Sequence, residues 1–139
     1  MAKNRKSRVV LDTRGVVAIE YGIILPALLL FTLGVMEIGR LIWTSITLNR
    51  AADAAARYAA VCDPTIETCT NIQQYAVSQA WGINDITASA FTLPPPTCGD
   101  VQHPAVEVDA SYTFTFLIPW VTPTVPLKAK ACYPKQQLS

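Results

Sequence analysis

Apolar residues run almost unbroken from Val16 to Met36, and beyond that stretch the pattern changes period twice. As a helix rising about 1.5 Å per residue, the 21-residue run reaches roughly 31 Å, the thickness of a bilayer core. Twelve of its residues are Leu, Ile, Val or Phe, each contributing about −0.3 to −0.6 kcal/mol at the centre of a span. Their sum exceeds the cost of one carboxylate, Glu20, near the edge. A cleaved secretory signal fits less well. The stretch is too long, no small-x-small site follows promptly, and residues 34–43 (GVMEIGRLIW) stay helical in pattern. No lipobox precedes Cys62. Pro26 inside the span is tolerated as a kink where neighbouring groups satisfy the freed carbonyl.

Helical spacing continues past the span. Glu37 and Arg40 stand three apart as an ion pair, Leu41, Ile42, Ile46 and Leu48 follow, and residues 51–60 (AADAAARYAA) are alanine-rich with Asp53 and Arg57 at i,i+4. Neither Gly nor Pro occurs between Arg40 and Val61. One helix of some 45 residues, 16–61, is predicted, with 16–36 in lipid and the remainder in water. Glu37, Arg40 and Trp43 then mark the outer membrane boundary, where Trp is a common anchor. Small alanines permit close approach by another helix or a sheet, although a bare helical stalk also fits.

Asp63-Pro64 ends the helix, because proline removes a donor and pushes its predecessor out of the helical region. Residues 62–139 read as a small α+β domain. Asn71 with Gln74 has the outline of a capping box for a short helix carrying Ile72, Tyr75, Ala76 and Ala80 and ending by Gly82. From Val106 to Phe116 apolar residues alternate with Glu107, Asp109, Ser111, Thr113 and Thr115, which predicts a strand with one buried and one wet face. Leu127, Ala129, Ala131 and Tyr133 alternate with Lys128 and Lys130 in a second strand, and residues 86–93 supply a third. The expected fold class is thus α+β, a long membrane-spanning helix followed by a short helix and an antiparallel sheet of about three strands.

Charge orients the span. Lys3, Arg5, Lys6, Arg8 and Arg14 are opposed only by Asp12 in the first fifteen residues, a net +4, while residues 16–139 carry six basic and nine acidic groups. A basic flank beside an apolar run marks the cytoplasmic side rather than a nucleic-acid contact. That places Cys62, Cys69, Cys98 and Cys132 outside the cytoplasm, where disulfides form. Of three possible pairings, Cys62 with Cys69 and Cys98 with Cys132 are favoured. In an antiparallel pair, the start of the 106–116 strand lies beside the end of the 127–133 strand. The spacings lack CxxC, so zinc is not expected. His103, the only histidine, reads as a loop residue, and Glu107 and Asp109 as ordinary strand surface. With no GxSxG nucleophile and no phosphate-binding glycine loop, neither enzyme activity nor a cofactor is expected.

The junction RGVVAIEYGIILP, residues 14–26, is the most specific motif. Gly15, four apolar residues, then Glu20 and Tyr21 resemble the processing site of prepilins from tight-adherence (Tad) systems, the type IVc pili. The chain that follows resembles the TadE-like pseudopilin family, with Pro26 in the span, Glu37, Gly39 and Arg40 leaving it, and an alanine-rich region closing on Arg57, Tyr58 and Ala59. The resemblance is strong over residues 14–61 and loose beyond, and it does not extend to the cysteines.

What the resemblance implies is a basic leader, residues 1–15, cleaved after Gly15 by a membrane prepilin peptidase. Val16 would become the new N-terminus and Glu20 the fifth mature residue. Glycine offers no side chain to a protease groove and resists helix continuation. Glu20, near the positive end of the helix dipole, would pair with the free amine of Val16 on its own or a neighbouring subunit. The reading is then a minor pseudopilin: a structural subunit that spans the bacterial inner membrane once, N-terminus cytoplasmic and C-terminal domain periplasmic, and enters an extracellular pilus. Its implied partners are the prepilin peptidase, other pilins and pseudopilins, the inner-membrane assembly platform and membrane lipid, with no nucleic acid. A TadE-like main filament subunit and a permanently anchored envelope binding or chaperone module are the alternatives.

Overall fold

A computed structural model of the chain describes residues 13–62, 71–99, 104–117 and 124–135. The leader up to residue 12, Cys69 and His103 lie outside the described residues. Helix α1 runs from Thr13 to Val61, 49 residues with Pro26 inside it. The chain forms two compact units, one ending at Met36 and the other beginning at Glu37.

In the first unit every described side chain from Val17 to Leu33 is exposed. An exposed surface that is apolar but for Glu20 and Thr32 suits lipid rather than water, and α1 is long and apolar enough to cross a membrane.

The second unit is the expected α+β domain, and it includes the outer half of α1. Helix α2 (Ile72–Gln79) is followed by a 3-10 turn at Ala88–Ala90 and by strands β1 (Phe91–Thr92), β2 (Ala105–Thr115) and β3 (Thr124–Pro134). The sheet is antiparallel in the order β1-β2-β3. Eleven Cα pairs join β2 to β3, from Ala105↔Pro134 to Thr115↔Thr124.

Alanine dictates how the unit packs. On α1, Ala51, Ala52, Ala55, Ala56 and Ala60 are buried with Leu48 in one cluster that also holds Ala110, Ala129 and Ala131 of the sheet. Helix positions spaced by three and four share a face, and methyl side chains on both surfaces let the layers come close. The helix and β2 lie antiparallel. Arg40 sits 5.3 Å from the Phe114 ring, and Arg57 5.3 Å from that of Tyr133, which pairs with Val106. Residues 40–57 advance about 26 Å as helix, and residues 106–114 advance about 26 Å as strand. The two elements therefore keep pace along a common axis.

Three expectations need correction. The third strand shrinks to Phe91–Thr92, paired with Ala110 and Asp109, because Ala88–Ala90 turn as a 3-10 segment in which the Thr87 and Ser89 hydroxyls bond each other at 2.8 Å. The backbone N–H of Ala90 donates to the Thr87 carbonyl at 3.0 Å, which closes the turn and takes these residues out of the ladder. Asn71 makes no side-chain cap to α2. The helix is held instead by Tyr75, stacked on Tyr58 at 4.4 Å, and by Gln73, whose Nε2 donates to the Phe91 carbonyl at 2.8 Å. Third, Glu107 is not wet: it is 2% exposed.

Candidate functional site

The residues singled out from sequence on α1 fall in two places. Gly15, Glu20, Tyr21 and Pro26 lie on its first turns and are exposed. The helix starts at Thr13, so the bond between Gly15 and Val16 is helical. A protease that needs an extended bond must unwind about one turn. Helix ends fray readily, and Gly costs a helix about 1 kcal/mol relative to Ala. Among the described residues Glu20 has neither an ion-pair nor a hydrogen-bond partner. Pro26, having no N–H, leaves the carbonyl of Gly22 one turn back without its helical donor.

At the entry to the second unit Glu37 is 6% exposed. Its carboxylate receives Arg40 Nη1 at 3.0 and 3.1 Å and the backbone N–H of Leu117 at 3.3 Å. The ion pair read from sequence is present, and it also ties the end of β2 to the helix. Arg40 in turn lies over Phe114, a cation–π contact. Trp43 meets Trp81 edge to face with centroids 5.2 Å apart. Gly82, next in the chain to Trp81, has a φ of +80° that suits glycine, and a Cβ there would approach Trp43 Nε1 to 3.3 Å. Glu37, Arg40 and Trp43 therefore serve as packing partners of the domain.

A third place was missed from sequence. On the sheet face turned away from Val106 and Val108, the segment before β2 crosses over Glu107. The Cys98–Cys132 disulfide, with Cα atoms 6.4 Å apart, pins it there, and Cys132 is the cross-strand partner of Glu107. Thr97 donates its backbone N–H at 2.7 Å and its hydroxyl at 2.8 Å to Glu107 Oε2. Lys130 Nζ pairs with Oε1 at 2.6 Å and donates to the Thr97 hydroxyl at 3.1 Å. A buried carboxylate is tolerated when paired and fully hydrogen-bonded. The second expected pairing lies half in view: Cys62 is disulfide-bonded, and Cys69 is outside the described residues.

These contacts set the protonation behaviour of the pair. The hydrogen bond from Lys130, then the backbone and side-chain hydrogen bonds from Thr97, lower the Glu107 pKa from 4.5 to about 2. The same bond to Glu107 raises the pKa of Lys130 above 10.5. For a depressed carboxyl, the contribution to stability is complete above its unfolded value and is lost as pH falls through the folded one. For a raised lysine it is complete below about 10.5 and lost at higher pH. Thermal unfolding of the full chain in detergent should therefore weaken between about pH 4.5 and 2, and Glu107→Gln should flatten that limb. An unchanged acid limb in the variant would remove the assignment.

Asp109, beside this network, has a buried Oδ1 with no partner. It lines a recess of about 350 Å³ with Thr92, Ser111, Lys128 and Lys130. No group of three metal-ligating side chains occurs among the described residues. What the geometry offers is surfaces: an apolar helix with one exposed acid, and a domain edge with paired tryptophans. Residues 15–57 match the family model described as TadE-like protein. No curated protein and no solved structure matches the chain.

Proposed function

We propose, from the TadE-like match over residues 15–57, that this chain is a minor pseudopilin, a structural subunit for assembly of a Tad-type pilus. The observation that carries the reading is the coincidence of that match with one continuous helix whose first half is exposed and apolar. A prepilin peptidase cuts after Gly15, and Val16 becomes the N-terminus. Four residues later on the same helical face, Glu20 pairs with the new α-amine of its own or an adjacent chain. The helix rests in the inner membrane until the subunit leaves for the pilus, and Pro26 shapes its packing there. The domain beyond Glu37 favours a minor role over that of the short major subunit.

Mass spectrometry of the protein recovered from cells with an active prepilin peptidase tests this directly. The expected N-terminus is Val16. An intact N-terminus ahead of Gly15 in those cells would favour a permanently anchored envelope module.

A further inference from the structure

Five of the eight large exposed apolar side chains described in the second unit gather at one end; Ile46 continues their line on α1, and Val61 and Leu93 lie farther from it. Ile38, Ile42 and Trp43 are 57%, 53% and 48% exposed, Trp81 63% and Leu117 75%. All five belong to the end of the unit at which the chain arrives from Met36. Ile38, Ile42 and Trp43 follow it directly on α1. Leu117 is held at the level of Glu37 by its own N–H, and Trp81 is held against Trp43. Farther along α1 the exposed or half-exposed positions are mostly charged, polar or small, as Asn49, Arg50, Asp53, Ala54 and Arg57, with Ile46 and Val61 the large apolar exceptions.

We infer that this end of the domain is a lipid-binding surface, seated in the headgroup layer of the bilayer with Trp81 and Leu117 as its contacts from outside the helix. Covalent continuity argues for lipid as the occupant. Glu37 follows the last residue of a segment long enough to cross the hydrocarbon core, so whatever lies level with Glu37 lies at the membrane surface. Trp43 is about 10 Å farther along the helix. The headgroup region is about 5–8 Å deep on each side, but helical side chains lean toward the helix N-terminus, which carries the indole back into that layer. Tryptophan prefers this zone because its ring is apolar and its N–H polar. Leu117 gains by leaving water, and Glu37 and Arg40 neutralise each other where the dielectric falls. Trp81 and Leu117 thus add lipid contacts to those of the helix itself. The inference depends on the membrane-anchored reading of α1.

The test is fluorescence quenching of the full chain in phosphatidylethanolamine–phosphatidylglycerol vesicles. A variant with Trp43→Phe and Trp120→Phe leaves Trp81 as the single reporter. Its emission should be blue-shifted, shielded from aqueous iodide, and quenched most by lipids brominated near the headgroup. Iodide quenching as strong as that of a free tryptophan analogue, with no bromolipid effect, would overturn the inference. A second reporter, Phe31→Trp with all three native tryptophans replaced by Phe, separates the two claims. Deep bromolipid quenching of that reporter beside an unquenched Trp81 defeats the inference and leaves the anchor standing. Failure of both reporters defeats both. Circular dichroism of each variant, matching that of the parent, establishes that the fold is retained.

Discussion

Replacing Cys98 and Cys132 together by serine is expected to lower the unfolding free energy of the full chain by about 3–4 kcal/mol. The bridge closes a loop over a sequence separation of 34 residues, and the chain-entropy relation assigns about that much to a loop of this length. The effect reaches past entropy. Thr97 adjoins Cys98, and both its donors to Glu107 depend on the segment staying over the sheet. Once the bridge is gone, the segment can lift and water can reach the carboxylate. The serine variant should therefore unfold at lower urea and lose most of the acid-side limb expected of the parent. An unchanged urea midpoint would show that the crosslink does not hold this face together.

Glu20→Ala should leave processing intact and impair assembly. In the proposed function, cleavage would depend on access to the bond after Gly15, whereas the carboxylate would matter when the helix is surrounded by apolar neighbours. There the new α-amine of Val16 would be left without its counter-charge. Removing one partner of a buried ion pair costs about 3–5 kcal/mol, more than about a hundredfold in an association constant. The expected result is a Val16 N-terminus in the membrane fraction and near-complete loss of the subunit from sheared pili. Normal piliation by this variant would strip Glu20 of the assigned role. Glu20→Asp, which keeps the charge on a shorter stem, should recover part of the assembly.

The parts of the fold readable in sequence are those set by local pattern. The apolar run of 21 residues, the alanines at helical spacing and the alternation after Val106 each describe one element's own surface, so α1 and the β2–β3 pair could be anticipated. The Cys98 and Cys132 pairing followed from the same alternation, because antiparallel register brings those strand ends together. Glu107 could not be read in this way. Its alternation places it on a solvent face, and only the crossing of Thr97, fixed by a crosslink 34 residues long in sequence, buries it. Trp81 stood out in no local pattern, because its partner Trp43 lies on a different element. For Glu37 and Arg40 the ion pair was legible, but the Leu117 and Phe114 contacts were not. The capping outline of Asn71 and Gln74 misled because α2 takes its order from Tyr58 and Phe91 instead.

The β2–β3 ladder has a mechanical consequence. A load that slid β2 lengthwise past β3 would strain all eleven β2–β3 pairs at once, so many hydrogen bonds would have to yield together instead of opening one at a time from an end. The disulfide at one end and the Glu37 to Leu117 tie at the other act as clamps on that ladder. Resistance to such a pull is a rate, set by the unfolding barrier and not by the equilibrium stability. A domain of modest size and small side chains can therefore hold under tension for longer than its free energy of folding alone would suggest.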